Sequence, residues 1–268
     1  MLEKFDTRAP KSASKEEVKK KFNQYIERLR AMQCLLYAED KRSVLIILQG
    51  MDASGKDSTV KHVFGQINPM GVRVKPFKKP TEVEYSYDFL RRIHKHTPPS
   101  GQIHIFNRSH YEDILVPEVH GYVSKEKIER RYDYINAFER NLVDHNTIIF
   151  KYFLHISKEE QVERFQRRLT RPDKYWKYDP SDLTESQRWD DYQKVYEKIF
   201  KKCSPDIPWT IIPADNKWYR NYLISKDIVE KLESLDMEYP EGYFSKEENR
   251  RQAEDALVER MSVLNLKK

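Results

Sequence analysis

The 268-residue sequence predicts an α/β protein, an open parallel sheet with helices on both faces. Three observations predict it. Short apolar runs rich in branched residues alternate with longer segments whose apolar residues recur at three- and four-residue steps. The runs, such as "VLIIL" at 44–48, are continuous rather than alternating, as in strands covered on both faces. Glycine, proline and polar residues punctuate the transitions.

From Lys15 to Glu39 the residues Val18, Phe22, Tyr25, Ile26, Leu29, Met32 and Leu36 share one face, which predicts an amphipathic N-terminal helix packed on the core. "SVLIILQ" (43–49) reads as a buried strand ended by Gly50. "KDSTVKHVFGQIN" (56–68) is expected as a helix and "NPMG" (68–71) as a turn. Next come a strand "VRVKPF", a helix from Glu82 to about Lys95, a "TPPSG" break and a strand "IHIF" (103–106). A helix is expected from about Lys125 to Asp144, then strand "TIIFKYFLHI" (147–156) and a helix from Ser157 to Leu169. The polar stretch 170–184 leads to a helix from about Glu185 to Lys202, strand "WTIIPA" (209–214) and a helix from about Trp218 to Leu232. Beyond about 240 the chain reads as a charged helical tail; with no internal repeat, one domain over 1–268 is expected.

Charged residues make up 34% of the chain against 38% hydrophobic, a balance that excludes a disordered or membrane-embedded chain. "VLIIL" is far too short to span a bilayer, and the N-terminus lacks a secretory apolar segment, so no membrane partner and a cytoplasmic location are expected. Cys34 and Cys203 are far apart and lack metal-ligand spacing, which fits a reducing compartment. The net charge of +6 favours an anionic partner without distinguishing a nucleotide, a nucleic acid or an inorganic polyanion.

Gly50, Gly55 and Lys56 match G-x-x-x-x-G-K between a buried strand and a helix start. Glycines let backbone N–H groups converge on phosphate oxygens, and the lysine neutralises them. Ser54 and Ser58 join them as phosphate-binding candidates. The residue after the lysine is Asp57, where such loops carry a hydroxyl that holds magnesium, and Asp52 is a second acid inside the loop. Both would repel phosphate unless a cation intervened, so they are read as magnesium ligands, direct or through water. The plainer reading of Asp57 is a helix N-terminal acid.

"IHIFNRSHYED" (103–113) runs from a strand into a polar cluster, so Asn107, Arg108, His110, Glu112 and Asp113 are expected at the same sheet end as the loop. Arg108 suits a bidentate grip on an acceptor phosphate. His110 is a candidate base or a structural histidine; a phosphate acceptor is already ionised near neutral pH and needs no base. The segment 164–190 is expected as a lid, because Arg164, Arg167, Arg168, Arg171, Lys174 and Lys177 surround Tyr175 and Trp176 there. An exposed hairpin or a nucleic-acid surface would read similarly.

The stretches "LQGMDASGKDSTVKHVF", "INPMGVRVKPFKKPT", "IFNRSHYED", "RRLTRPDKYWKYDPSDL" and "PWTIIPADNKWYRNYLIS" together resemble the family 2 polyphosphate kinases. The resemblance runs in order from about Leu29 to Leu232 and implies the P-loop kinase fold, related to thymidylate kinase, with a helical lid. It also implies transfer of a phosphoryl group between inorganic polyphosphate and a purine nucleotide with magnesium as cofactor, manganese being able to substitute. The family's metal-binding aspartates fall on Asp52 and Asp57, its loop lysine on Lys56, its strand-end arginine on Arg108, and its lid cations on Arg167, Arg168, Arg171, Lys174 and Lys177.

Where members restricted to nucleoside diphosphates read "DRSWYN", this chain reads "NRSHYE", which resembles the subgroup acting on both monophosphates and diphosphates. Asn107 thus replaces an acid, and Glu112 is an added carboxylate able to hold metal or water in the space of a missing phosphate. Lys56, Lys61, Lys75, Lys78 and Lys79 are candidates for a basic polyphosphate track. An ATP-dependent nucleotide kinase of the thymidylate kinase type and a non-enzymatic basic polyanion or nucleic-acid binder are the alternatives; acids inside the loop disfavour the second. The apolar faces of the N-terminal helix and the tail are available for a homo-oligomer.

Overall fold

A computed structural model describes residues 1–203, 205–242 and 246–264. Five strands, β1 (Ser43–Gln49), β2 (Val72–Pro76), β3 (Ile103–Asn107), β4 (Thr147–His155) and β5 (Trp209–Pro213), form one sheet in the order β2-β3-β1-β4-β5, every pair parallel. All of β1 is buried because it is flanked on both sides, Leu48 pairing with Asn107 and with Tyr152. The edge strand β2 is largely exposed and ends in Pro76, whose missing N–H is tolerated there. The chain leaves β1 towards β2 and β3 and later returns to its other side, which opens a crevice at the carboxyl end of β1.

Helix α1 (Lys15–Glu39) starts where Ser14 accepts from the Glu17 N–H, and Asp40 ends it in the left-handed conformation. It packs on α10 (Lys217–Glu233) through Tyr25 Oη to Glu230 (2.9 Å) and Arg28 Nε to Glu233 (2.8 Å). Helix α6 (Lys125–Asp144) occupies its expected span, capped by Ser124; α7 (Lys158–Thr170) is capped by Ser157. Helix α9 (Trp189–Lys202) buries Tyr196 and Phe200 against Phe153, ring centroids 4.6 Å and 5.1 Å apart. No helix among the described residues is long and apolar enough to cross a membrane.

The structure departs from the expected elements in several places. The helix after the glycine loop is α2 (Lys56–Thr59), continued as a π-helical turn over Val60–Phe64 and ended at Gly65 rather than at 68. The expected helix 82–95 is two: α3 (Glu82–Tyr85), opened by a Thr81–Glu84 capping box, and α4 (Arg91–His94), before which Asp88 accepts from the Leu90 and Arg91 N–H groups. Helix α5 (Glu112–His120) was not among the expected elements and carries Pro117 in its interior. The Asp113 carbonyl, four residues before that proline, instead accepts from Arg131 Nη1 of α6. Within 170–184 the chain makes a 3-10 turn (Pro172–Lys177) and enters α8 (Pro180–Ser186), so α9 begins four residues later than expected. The tail forms α11 (Glu247–Val263), with no buried residue; 243–245 and 265–268 of that expected tail lie outside the described residues.

A polar cluster is sealed under β3 and β4. Glu139 of α6 accepts from His110 Nε2 (3.1 Å), Tyr111 Oη (2.7 Å) and Lys151 Nζ (2.8 Å), and Lys151 also donates to Tyr111 Oη (3.1 Å). His110 and Lys151 side chains are 0% exposed and Glu139 2%, so the Lys151–Glu139 pairing is what permits burial of those two charges.

Candidate active site

At the end of β1 the chain turns at Gly50, where an added Cβ would lie 2.8 Å from Leu154 O. It wraps to Gly55, which has a φ of 102° and is the N-cap of α2. No side chain fits at Gly55: its Cβ would lie 2.1 Å from Arg220 Nη1. Lys56 is buried and folds back over the loop, its Nζ donating to Gly50 O (2.7 Å) and Met51 O (3.2 Å). Burial first, then the nearby Arg108 charge, lower its pKa.

Two carboxylates flank this loop. Asp52 Oδ1 accepts from Arg108 Nη2 (2.8 Å); Asp57 accepts from Asn107 Nδ2 (2.7 Å) through one oxygen and from Lys177 Nζ (3.2 Å) through the other. Burial works against the Asp57 charge, but the Asn107 hydrogen bond and the Lys177 charge prevail and lower its pKa. Arg108 holds a left-handed φ of 63°, uncommon for a residue with a side chain, while its N–H donates to Leu48 O (3.1 Å). This tie to β1 accompanies a guanidinium aimed back at the loop. Glu112 opens α5 beside Arg108 and Lys56; burial raises its pKa against the pull of those two cations.

Loop and cluster share the wall of one cavity of about 1360 Å³, reached by Gly50, Asp52, Arg108 and Glu112 at one end and by Tyr85, Tyr87 and Phe89 further out. Asp182 and Glu185 of α8 line it from the lid side, and Glu185 is tied to His120 at the end of α5 (3.0 Å).

A family model described as polyphosphate kinase 2 matches residues 12–240. The chain belongs to the polyphosphate kinase 2 family. It is 49% identical over 215 residues, 80% of each chain, to an AMP/ADP-polyphosphate phosphotransferase of Meiothermus ruber. It is 41% identical over 241 residues, 85% of this chain and 83% of the relative, to an ADP-polyphosphate phosphotransferase of Rhodopseudomonas palustris. The crystal structure of polyphosphate kinase 2 from Arthrobacter aurescens superposes with a TM-score of 0.91 at 38% identity, covering 97% of this chain and 93% of that one. The sheet flanked by helices, with the glycine loop at the end of β1, is the P-loop kinase fold.

Within this polyphosphate kinase 2 frame the expected residues divide. Lys56, Asp52, Asp57, Asn107, Arg108 and Glu112 meet around the loop. His110 and Asp113 do not reach the loop: His110 is sealed on Glu139, and Asp113, though in the same cavity wall, pairs with Arg92 (3.0 Å). In a helical turn successive side chains point in different directions, so only some residues of "NRSHYED" face the crevice. Of the two roles open to His110, its burial on Glu139 fits the structural one. Ser54 is fully buried against Gly50, and Ser58 Oγ accepts from Arg220 (3.2 Å).

Of the track lysines, Lys78 and Lys79 line the cavity that holds Arg108, whereas Lys61 and Lys75 are not in its wall. Arg164, expected as a lid cation, clamps the loop from behind, donating to Ala53 O and Ser54 O (2.8 Å each) and to Ala214 O (2.7 Å). The other lid cations hold local partners. Arg167 pairs with Glu163, Arg168 with Asp182 and the Lys177 carbonyl, and Arg171 with Asp173 (3.0 Å); Lys177 alone of these is bonded to the loop. Lys174 lies near enough to Lys217 to depress its pKa, after burial and Arg164.

Gln161, Lys217 and Arg220 escaped the sequence reading. Gln161 Nε2 donates to Asp52 O (2.9 Å). Lys217 and Arg220 sit in the first turn of α10, just past the carboxyl end of β5, and that position was the available signal.

Proposed function

We propose that this polyphosphate kinase 2 transfers the terminal phosphoryl group of inorganic polyphosphate to AMP and ADP. The observation that carries the reading is that a phosphate loop and Arg108, joined to it through Asp52 (2.8 Å), line one cavity together with Glu112. The relative from Meiothermus ruber, an AMP/ADP-polyphosphate phosphotransferase, supports the choice of both acceptors.

In this reading polyphosphate lies on the loop with Lys56 at its end phosphates, and the nucleotide enters the cavity with its terminal phosphate on Arg108. An oxygen of that phosphate attacks the end phosphorus, the bond from this phosphorus to the next bridging oxygen breaks, and the shortened chain leaves as the anion. Catalysis consists of alignment and neutralisation of charge, as phosphoryl transfer generally requires. Lid closure over the cavity excludes water, which would otherwise take the phosphoryl group.

The donor set fits magnesium: Asp52 and Asp57 offer hard anionic oxygens beside the loop, and magnesium commonly binds through one or two carboxylates plus phosphate oxygens. When bound, the ion would offset repulsion between donor and acceptor anions. Asp52 and Asp57 would hold it; among the described residues no three carboxylate, histidine or cysteine side chains gather closely enough for a metal, so Glu112 does not join them as the expected third ligand. A cytoplasmic location without nucleic-acid or membrane partners completes the reading.

The test is incubation with AMP or ADP, magnesium and polyphosphate in the absence of ATP. ADP and ATP are expected to form; no product would overturn the reading and favour an ATP-driven nucleotide kinase. A second experiment probes Glu112. Glu112→Asn is expected to lower kcat/KM for AMP relative to that for ADP by about tenfold or more, the worth of one well-placed polar contact. An unchanged ratio would remove Glu112 from acceptor selection.

A further inference from the structure

Arg220 is wholly buried behind the phosphate loop. Its Nη1 donates to Ser54 O (3.4 Å), its Nη2 to Ser58 Oγ (3.2 Å), and its Nε and Nη2 to its neighbour Asn221 Oδ1 (3.1 Å and 2.9 Å). Every one of these acceptors is neutral, and Arg220 forms no ion pair with a carboxylate among the described residues. The charged group acting on it is another cation, Arg164. Arg164 differs in having its own acid, Glu160, at 2.7 Å. Burial and then Arg164 push the Arg220 pKa down to about 9, which leaves it charged at neutral pH.

The contacts also set the direction of the loop amides. In a trans peptide the C=O of one residue and the N–H of the next point opposite ways, and the chain has no cis peptide among the described residues. Ser54 O is held from behind by Arg164 and Arg220, so the Gly55 N–H faces the other side. Asp52 O is held by Gln161, so the Ala53 N–H points away from Gln161. The bare Gly55 Cα is what allows the guanidinium to approach.

We propose that Arg220 is a positioning residue for the phosphoryl donor: it aims the Gly55 N–H at the polyanion and supplies a buried positive charge whose counter-ion is that polyanion. This rests on the loop being the donor site.

The experiment compares wild type, Arg220→Gln and Arg220→Lys by calorimetric titration with inorganic tripolyphosphate and, separately, with AMP. Gln retains a donor for Ser54 O without the charge; Lys retains the charge. Arg220→Gln is expected to weaken tripolyphosphate binding about tenfold or more, Arg220→Lys less than about threefold, and AMP binding should stay within about twofold in both, as the loss of one charge near the donor site predicts. Wild-type affinity in Arg220→Gln, or equal weakening of tripolyphosphate and AMP in both variants, would overturn the proposal. ATP formation by the wild type, followed in parallel, tests the function itself. Without such turnover the assignment of activity fails, while a selective tripolyphosphate defect would still support the role of Arg220.

Discussion

Replacing Lys56 with methionine is expected to lower polyphosphate-driven turnover of ADP about a hundredfold to a thousandfold, the usual cost of removing one preorganised group at a reacting charge. In the structure Lys56 Nζ satisfies itself on Gly50 O and Met51 O, neutral partners that a phosphate oxygen can outbid. Methionine matches the length of the stem, so the thermal midpoint should move by only a few degrees for the loss of about two hydrogen bonds. The decisive measurement is kcat with the melting curve recorded on the same sample. A fall confined to the folded fraction would mean that Lys56 only shapes the loop. Because burial lowers its pKa, the protonated form in the free enzyme is lost at lower pH than for an ordinary lysine, and the alkaline limb of kcat/KM should disappear in the variant.

Glu139→Ala should destabilise the protein by about 3–5 kcal/mol, because it leaves Lys151 buried without an anion and removes an acceptor from His110 and Tyr111. Chemical denaturation measures it; a loss under about 1 kcal/mol would show that the cluster relaxes or takes up water. The pH dependence has a definite sign. Burial alone would raise the Glu139 pKa, but the His110 hydrogen bond and the Lys151 charge lower it below the ordinary 4.5. A carboxylate depressed on folding adds stability that is fully present above its unfolded value and is lost as pH falls through the folded one. Wild type should therefore lose this contribution below about pH 4.5, and the variant should lack that limb. Activity should fall too, since His110 and Tyr111 lie in the turn carrying Arg108 and Glu112.

How far the sequence disclosed the structure depended on range. Helices α1 and α6 are local objects, and the approximate spans expected for them match the structure, which adds the serine caps. The central strand was equally plain, since burial on both faces writes itself as an unbroken apolar run. Helix α5 was hidden because what reconciles Pro117 with a helix is Arg131, a residue from the next helix. The loop and its aspartates were visible as a motif, but their partners were not: Asp57 meets Lys177 across 120 residues and Ser54 meets Arg220 across 166. His110 stayed open between a base and a structural histidine, because its type suggests chemistry and only its burial assigns it to the core. Local pattern does not contain such information.

The 3-10 segment Pro172–Lys177 buries none of its residues and reaches the phosphate loop through the Lys177–Asp57 pair, whose side chains are 35% and 65% exposed. A pair so open to solvent contributes roughly 0.2–1 kcal/mol, which biases attached over detached forms by no more than about fivefold. The Lys177–Asp57 contact is therefore made and broken at thermal energies, while Arg168 keeps its own hold on the Lys177 carbonyl. An anion arriving at Lys177, or a cation arriving at Asp57, competes directly with so weak a pair.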